Sequence, residues 1–224
     1  MPDAEDFEKQ RQQMVSWQIQ LRGIFDERLL AAFRRIPRHL FVPPAYQFAA
    51  YEDHPLPIGC GQTISQPYIV AVMTNLLELT GCERVLEVGT GSGYQAAILG
   101  CLAAEVHSLE LHPTLAEAAA QHIQAAGLAN VHIHCGDGTQ GWPAAAPFDG
   151  MLVTAAAPRP PQPLLEQLAD GGRLVLPMGS QGQQLLQRWR RQANRWQHED
   201  HLDVVFVPLR GQYGWGQSDW PDYS

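Results

Sequence analysis

The sequence predicts an α/β protein with a doubly wound, mostly parallel sheet of seven strands. Apolar strand patterns alternate with helical patterns between residues 84 and 177, and a glycine-rich turn joins the first of these strands to a helix. Such alternation is typical of parallel sheets. The last two strand patterns are separated by a link too short for a helical crossover, so an antiparallel hairpin is expected at the C-terminal end.

The N-terminal part of the chain is predicted to be helical and then irregular. Residues 5–22 and 26–35 have helical spacing, and Asp26 is placed to cap the second helix. Pro37 ends that helix, and further prolines at 43, 44, 55 and 57 predict irregular structure up to residue 61. We expect this part to form a helical extension laid across the main fold.

The remaining elements follow in order along the chain. A helix is predicted to begin after Ser65 and to run to about residue 79. Strands are predicted at residues 84–88, 105–111, 131–135, 149–154 and 173–177, and helices at residues 94–103, 113–126 and 163–168. The hairpin strands are expected at residues 184–191 and 195–209, joined by Gln192, Ala193 and Asn194.

The chain is expected to divide into three parts. Residues 1–60 form the extension, residues 61–210 form the main domain, and residues 211–224 form a tail. The tail is rich in Gly, Trp and polar residues, so we expect it to be partly ordered at best.

Composition disfavours several classes of protein. The 224 residues are 45% hydrophobic and carry a formal net charge of −8. No apolar run approaches the roughly 18 residues that a membrane span needs, and the acidic balance disfavours an extended nucleic-acid-binding surface. The N-terminus is acidic and polar, unlike a secretory signal, so a cytoplasmic location is expected. We expect no membrane or nucleic-acid partner, and a monomer.

Several reactive or charged residues have ordinary structural interpretations. The cysteines are widely spaced, which predicts reduced, buried thiols and no metal site; they are Cys60, Cys82, Cys101 and Cys135. Histidines alternate at His132 and His134, which indicates a structural role. Arginines alternate with Trp189 and Trp196. That alternation fits stacking on single-stranded bases or a two-stranded ribbon, and we favour the ribbon.

The glycine-rich turn carries the strongest functional signal. Glycines at 89, 91 and 93 allow sharp bends and close approach of a ligand to main-chain N–H groups. The third glycine comes one residue too early for the dinucleotide fingerprint. Glu87 would repel a pyrophosphate but attract the cationic groups of S-adenosylmethionine. The pattern E-x-G-x-G-x-G therefore predicts a methyl-donor site, the alternative being a tight turn without a ligand.

Two further acids follow strands at the same predicted edge of the sheet. Glu110 lies roughly 20 residues beyond the loop, where an acid binds a ribose. Asp137, between Gly136 and Gly138, is placed to accept a hydrogen bond from an adenine amino group. The alternatives are an exposed strand-end carboxylate and an ordinary Asp-Gly turn. Because ligands bind where such strands end, we expect these residues to meet residues 154–158.

Ser65 lies in the segment GQTISQP, directly before a helix. One interpretation is a helix N-cap, with Pro67 in the first turn. The other is that its hydroxyl orients an incoming carboxylate. A carboxylate with a pKa of about 4 is ionised at neutral pH, so methyl transfer to it requires positioning and no general base.

Six blocks of the sequence closely resemble protein-L-isoaspartate O-methyltransferases. In chain order they are LPIGCGQTISQPY, VLEVGTGSGYQAAIL, GDGTQGW, FDGMLVTAAAP, GGRLVLPMG and FVPLRG. The resemblance implies a Rossmann-like class I methyltransferase fold with S-adenosyl-L-methionine as co-substrate. It also implies methylation of the α-carboxylate of L-isoaspartyl and D-aspartyl residues in damaged proteins and peptides. The ester then cyclises to a succinimide, whose hydrolysis begins repair.

The resemblance also implies roles for individual residues. The family's active-site serine falls on Ser65. The family's contacts with the methyl donor fall on Ile64, Ser65, Glu87, Gly89, Gly91, Glu110, Asp137 and Gly138. Similar members often carry Trp in place of Thr139. Two other functions stay open: a carboxyl methyltransferase of a dedicated peptide or small molecule, and a donor-binding regulatory module without turnover.

Overall fold

The computed structural model describes residues 4–193 and 195–220. Its α-helices are α1 (Ala4–Gln13), α2 (Glu27–Arg35), α3 (Pro67–Leu76), α4 (Tyr94–Gly100), α5 (Pro113–Ala125) and α6 (Gln162–Gln167). Its strands are β1 (Leu56–Gly59), β2 (Gln62–Ile64), β3 (Arg84–Val88), β4 (Glu105–Glu110), β5 (Val131–Cys135), β6 (Phe148–Val153), β7 (Leu168–Ser180), β8 (Gln183–Gln192) and β9 (Arg195–Val204).

The central sheet confirms the predicted fold class. Its seven strands lie in the order β5-β4-β3-β6-β7-β8-β9. Strand β3 pairs in parallel with β4 and with β6, while β8 pairs antiparallel with β7 and β9. The strand order reverses at β3, because the next strands along the chain lie on one side of it and the later ones on the other. A ligand-binding crevice is expected at such a reversal.

The burial of β3 fits its interior position in the sheet, between β4 and β6. Val85 and Leu86 are fully buried and Val88 is 3% exposed. A parallel strand covered by helices on both faces needs this continuous apolar character. The loop that follows β3 is therefore held on a rigid base.

The N-terminal extension is helical from the first described residue to Arg22, and its middle departs from the expected α-helix. After α1 the chain forms a π-helical segment, Met14–Ile19, and a short 3-10 turn. Met14 and Ile19 are both buried, and turns with i→i+5 bonds place residues five apart on one face. Asp26 caps α2 as predicted, since its side chain accepts hydrogen bonds from the N–H groups of Arg28 and Leu29.

The region predicted to be irregular up to residue 61 contains β1, the first strand of a two-stranded ribbon. Strands β1 and β2 pair antiparallel, with Leu56 opposite Ile64. The turn between them has positive φ at Gly59, Cys60 and Gly61, which closes the hairpin. The prolines hid this strand pattern, although an edge position tolerates a proline.

The C-terminal hairpin fits the ribbon interpretation of its arginines and tryptophans. Arg188 forms ion pairs with Glu78 and Glu199, at 2.7 and 2.8 Å. The Trp189 ring stacks on His198. Strand β9 ends at Val204, earlier than predicted, and Asn194 of the predicted link lies outside the described residues.

The tail, which was expected to be partly ordered at best, is held by specific contacts over residues 211–220. The Arg210 guanidinium donates hydrogen bonds to the carbonyl oxygens of Trp215, Gly216 and Trp220, and the Trp220 side chain is buried. These contacts fold the tail back on the domain.

Two further features bear on the sequence expectations. The four cysteines are free, but Cys60, Cys82 and Cys135 are exposed and not buried as expected, because they lie in a turn, a loop and a strand end. Among residues 4–193 and 195–220, no helix has both the length and the apolar character that a membrane crossing requires.

Candidate functional site

The glycine loop after β3 has the sharply bent backbone that its glycines were expected to allow. Gly89, Gly91 and Gly93 have φ of 95°, 54° and 87°, a region that L-residues with side chains rarely occupy. A Cβ at Gly89 would overlap the Thr154 hydroxyl, and one at Gly93 would lie 3.2 Å from the Ala119 Cβ. The loop therefore approaches both β6 and α5 more closely than a side chain permits.

Glu110 ends β4 and fastens the loop from the side. Its Oε2 accepts a hydrogen bond from the Gly91 N–H at 2.8 Å, and its Oε1 accepts one from the His112 N–H at 2.9 Å. The side chain is 5% exposed. Glu110 is thus an oriented carboxylate at the switch point of the sheet and not a solvated strand-end acid.

Glu87 lies beneath the loop. It is fully buried, its Oε2 accepts a hydrogen bond from the Ser108 hydroxyl, and its Oε1 has no partner among the described residues. Burial raises the pKa of Glu87 to about 8, although the Ser108 bond opposes the rise and nearby Glu110 adds to it. At neutral pH most of this carboxyl is protonated, so it does not present the fixed negative charge that the sequence argument assumed.

Asp137 organises the loop after β5. Its carboxylate accepts hydrogen bonds from the Thr139 N–H at 2.9 Å, the Thr139 hydroxyl at 2.6 Å and the Gln212 N–H at 2.8 Å. Partial burial raises the pKa of Asp137, but these hydrogen bonds outweigh it and hold the pKa below its usual range. In this structure the carboxylate therefore binds the protein's own tail.

An inner cavity opens at the carboxyl ends of β3, β4 and β6. It is bounded by the ends of these strands, the segment before α3, the start of α4 and the chain after Val207. The predicted residues that line it are Ile64, Ser65, Gly89, Gly91, Glu110 and Gly138. Glu87 and Asp137 are not among the residues that line it, so direct ligand contacts of these two acids stay predictions.

Ser65 is not the N-cap of α3. Gln66 occupies the N-cap position and makes no side-chain capping bond. The Ser65 side chain is half-buried, and no hydrogen bond to its hydroxyl occurs within the described part of the chain. The N-cap interpretation is therefore wrong, and the hydroxyl is available to a ligand.

An outer groove adjoins the inner cavity. Its walls are the β1–β2 ribbon on one side and the end of β9 with residues 205–208 on the other. Ser65, His112, Thr154 and Arg210 border both spaces. The inner cavity and the outer groove therefore meet beside Ser65.

Two polar side chains hold the loop: sequence reasoning placed Thr154 at this edge without a role for its hydroxyl, and it missed Ser108. Thr154 follows β6, and its hydroxyl donates to the carbonyl oxygens of Gly89 at 2.5 Å and Val88 at 3.1 Å. Ser108 lies in the middle of buried β4 and contacts both Glu87 and the Thr90 hydroxyl. A serine within an apolar strand beside a buried acid was the available signal for Ser108.

The histidine cluster of β4 and β5 lies away from the inner cavity, whereas His112 borders it. His107 and His134 form a ring-to-ring hydrogen bond of 3.0 Å on the surface of β4 and β5, and His134 stacks on Trp142. Within residues 4–193 and 195–220, no group of three or more His, Cys, Asp or Glu side chains is arranged to hold a metal ion.

Comparison with known proteins gives a consistent family. The model of the protein-L-isoaspartate(D-aspartate) O-methyltransferase family matches residues 9–214. A protein-L-isoaspartate O-methyltransferase of Methanoculleus marisnigri is 54% identical over 213 residues, which covers 95% of this chain and 97% of that protein. Protein-L-isoaspartate O-methyltransferase 2 of Marinobacter nauticus is 53% identical, with coverage of 95% and 98%.

Solved structures agree with the sequence relatives. One protein-L-isoaspartate O-methyltransferase superimposes with a TM-score of 0.82 at 28% identity, covering 91% of this chain and 67% of that one. A Plasmodium falciparum structure described as an isoaspartate methyltransferase in complex with S-adenosyl-L-homocysteine has a TM-score of 0.78 at 23% identity, with coverage of 89% and 98%. That second likeness concerns the fold alone. From the extent of the family match and the identity to its members, the chain belongs to the protein-L-isoaspartate(D-aspartate) O-methyltransferase family.

Proposed function

We propose that this protein transfers a methyl group from S-adenosyl-L-methionine to the α-carboxylate of L-isoaspartyl and D-aspartyl residues in damaged proteins and peptides. It is an S-adenosyl-L-methionine-dependent protein-L-isoaspartate O-methyltransferase of the repair type. The observation that carries the proposal is the meeting of the inner cavity and the outer groove at Ser65, in a chain with near-complete coverage of its relatives.

The residues of the inner cavity fit the donor. Glu110 is an oriented acid that can accept hydrogen bonds from ribose hydroxyls, and it already fixes the loop through the Gly91 N–H. Gly89 and Gly138 keep the wall free of side chains, since a Cβ at either position would strike Thr154 or Val88. Ile64 and Ser65 form the wall nearest the outer groove. The bound donor supplies an electrophilic methyl group on a sulfonium.

The residues around the acceptor have a positioning task. An isoaspartyl α-carboxylate is ionised at neutral pH, with an unperturbed pKa of about 4, so its oxygen needs no base to attack the methyl carbon. As the oxygen–carbon bond forms, the sulfur–carbon bond breaks and its electron pair stays on sulfur. The Ser65 hydroxyl can donate a hydrogen bond to the carboxylate and fix its approach, which supplies rate through orientation.

A paired-peptide assay tests the proposal. The protein is incubated with methyl-labelled S-adenosyl-L-methionine and either of two peptides that differ only in isoaspartate or aspartate at one position. We expect base-labile label in the isoaspartyl peptide alone. Absence of label in both, with donor binding intact, contradicts the proposal and favours a donor-binding module. Equal label in both would favour a methyltransferase with a different acceptor.

A further inference from the structure

Two residues of the N-terminal extension contact the segment that carries Ser65. Arg22 ends the first helical run of the extension, before α2, and Asp53 lies after α2, just before the β1–β2 ribbon. We infer that Asp53, held by Arg22, is a positioning residue for Ser65 in the transfer of the methyl group. The inference rests on the proposed function and adds to it the residues that place the serine.

Asp53 binds both the residue after Ser65 and the start of α3. Its Oδ2 accepts a hydrogen bond from the Gln66 side-chain amide at 2.7 Å, and its Oδ1 accepts one from the Tyr68 N–H at 3.4 Å. Gln66 makes no side-chain cap of its own at the N-cap position. A carboxylate from the extension therefore satisfies an N–H group that the helix leaves unpaired, at the end where negative charge is favoured.

Arg22 completes the arrangement, which we call the Asp53 clamp: Arg22, Asp53, Gln66 and Tyr68. The Arg22 guanidinium donates to Asp53 Oδ2 at 2.7 Å, and its Cζ lies 3.3 Å from the centre of the Tyr68 ring. The Arg22 guanidinium thus orients the Asp53 carboxylate and also covers the Tyr68 ring, in the first turn of the helix that Asp53 caps. The Asp53 side chain is 27% exposed, so the clamp is partly shielded from water.

Ser65 depends on these contacts because it has few of its own. On its N-terminal side, Ile64 is paired with Leu56 in the ribbon. On its C-terminal side, Gln66 and Tyr68 are held by Asp53. The serine thus lies between two neighbours that residues of the extension hold in place. Its hydroxyl stays free for the acceptor. Loss of the second anchor would let the hydroxyl move relative to the carboxylate without emptying the inner cavity.

Kinetics of Asp53→Asn and Arg22→Ala test this role. In Asp53→Asn an NH₂ group replaces one of the two acceptor oxygens. This NH₂ group, itself a donor, then faces either the Arg22 and Gln66 donors or the Tyr68 N–H donor. We expect kcat at saturating donor and isoaspartyl peptide to fall about tenfold in each variant, with the donor Kd unchanged within about twofold, because misplacement slows the reaction more than it weakens remote binding. Arg22→Lys keeps the charge but loses the planar contact with Tyr68, and we expect partial rescue.

Two control variants remove similar contacts elsewhere. Asp149→Asn weakens a carboxylate bond to the Arg84 N–H at the opposite end of β3, and Arg34→Ala removes a surface pair with Glu27 in the same extension. Both are expected to keep the wild-type kcat. If Asp53→Asn also keeps it, the positioning role is contradicted.

A double-mutant cycle separates positioning from general damage. If Asp53 acts through Ser65, the variant carrying both Ser65→Ala and Asp53→Asn has the same kcat as Ser65→Ala alone, since interacting sites are not additive. Fully additive losses would contradict the inference. A Ser65→Ala variant with wild-type kcat would also contradict it, while leaving the methyltransferase activity itself established.

Hydrogen exchange gives a readout that does not need turnover. In Asp53→Asn we expect the Tyr68 amide to exchange about tenfold faster than in the wild type, because local opening controls exchange. Asp149→Asn should leave that rate unchanged. Unchanged exchange at Tyr68 in Asp53→Asn overturns the clamp even if the wild type proves inactive on isoaspartyl peptides.

Discussion

The two acids beside the glycine loop occupy opposite environments. Glu87 lies within β3 and accepts a hydrogen bond from a serine hydroxyl. Glu110 lies at the end of β4 and accepts hydrogen bonds from two main-chain N–H groups. Desolvation favours the neutral form of the Glu87 carboxyl and raises its pKa. Two residues of the same type therefore have different tasks: Glu87 is part of the support for the loop, and Glu110 presents a carboxylate to the inner cavity.

Glu87→Gln is expected to change how stability depends on pH. The folded-state pKa of Glu87, about 8, lies above the ordinary glutamate pKa of 4.5. The folded protein therefore binds this proton more tightly, and its contribution to stability is lost as pH rises from 4.5 through 8. Glutamine does not titrate and has no such loss. The free energy of unfolding of the variant, relative to that of the wild type, should therefore rise by about 1 kcal/mol per pH unit between pH 5 and 8. Urea unfolding of both proteins across this pH range measures the difference between their free energies of unfolding. A difference that does not change with pH would contradict the prediction.

Glu110→Ala is expected to weaken donor binding. The substitution leaves the Gly91 and His112 N–H groups without their acceptor and removes the candidate partner of the ribose. Loss of charge-assisted hydrogen bonds corresponds to about 10- to 100-fold in affinity. Calorimetric titration with S-adenosyl-L-homocysteine measures the effect. Glu117→Ala, an exposed acid on α5, is the control, and equal affinities for both variants would argue against the role of Glu110.

At the scale of elements, the loop after β5 fits closely against β3 and β4. A Cβ on Gly138 would lie 2.6 Å from Val88 Cγ1 and 3.3 Å from Leu109 Cβ, whereas a Cβ on Gly136 would meet nothing within 4 Å. The two glycines of the same G-D-G motif therefore have different physical reasons to be small. Gly138 permits contact of the loop with β3 and β4, which closes one side of the inner cavity.

A matched pair of alanine variants tests that contact. We expect Gly138→Ala to lower the free energy of unfolding by about 1–3 kcal/mol, the usual cost of overpacking a core. It should also weaken donor binding, because the loop must move outward. Gly136→Ala should stay within about 0.5 kcal/mol of the wild type. Chemical unfolding of both proteins gives the comparison, and equal stabilities would show that the loop adapts freely.

At the scale of the whole molecule, the two ends of the chain both support the site. The extension holds the Ser65 segment through Asp53, and the tail is held by Asp137 through the Gln212 N–H. The Tyr213 N–H also donates to the Thr139 hydroxyl, at 3.2 Å. Parts of the chain far apart in sequence thus meet around one edge of the central sheet.

Asp137→Ala is expected to release the tail. The variant loses the acceptor for Gln212 and for both donors of Thr139, so we expect a loss of about 2 kcal/mol in stability from broken hydrogen bonds. Amide exchange at Gln212 and Tyr213 should accelerate in parallel. Asp219→Ala removes a carboxylate whose bonds stay within the tail and serves as the control. Slow exchange at Gln212 in Asp137→Ala would contradict the anchoring role.

Much of the fold and part of the candidate site could be predicted because their signals are local. Strand β5 lies where its apolar alternation placed it, Asp26 caps α2, and the glycine loop adopts the positive φ values that its glycines permit. The β1–β2 ribbon was missed because prolines in the sequence are typical of irregular structure. In addition, the turn that closes the ribbon depends on the positive φ of Cys60, which is rare for a residue other than glycine. Ser65 was read as a possible cap because an N-cap and the residue before it look alike in sequence.

By itself, the sequence determined the α/β class, the order of strands and helices, the glycine loop and the resemblance to a methyltransferase family, since period, turn residues and motifs are properties of adjacent residues. Only the tertiary structure decided that Glu87 is buried and mostly protonated, that Asp137 binds the tail, and that Asp53 holds the start of α3. Burial and hydrogen-bond partners are set by segments that meet only when the sheet has formed. For that reason the charge and the contacts of each site residue follow from the fold and not from the motif that contains it.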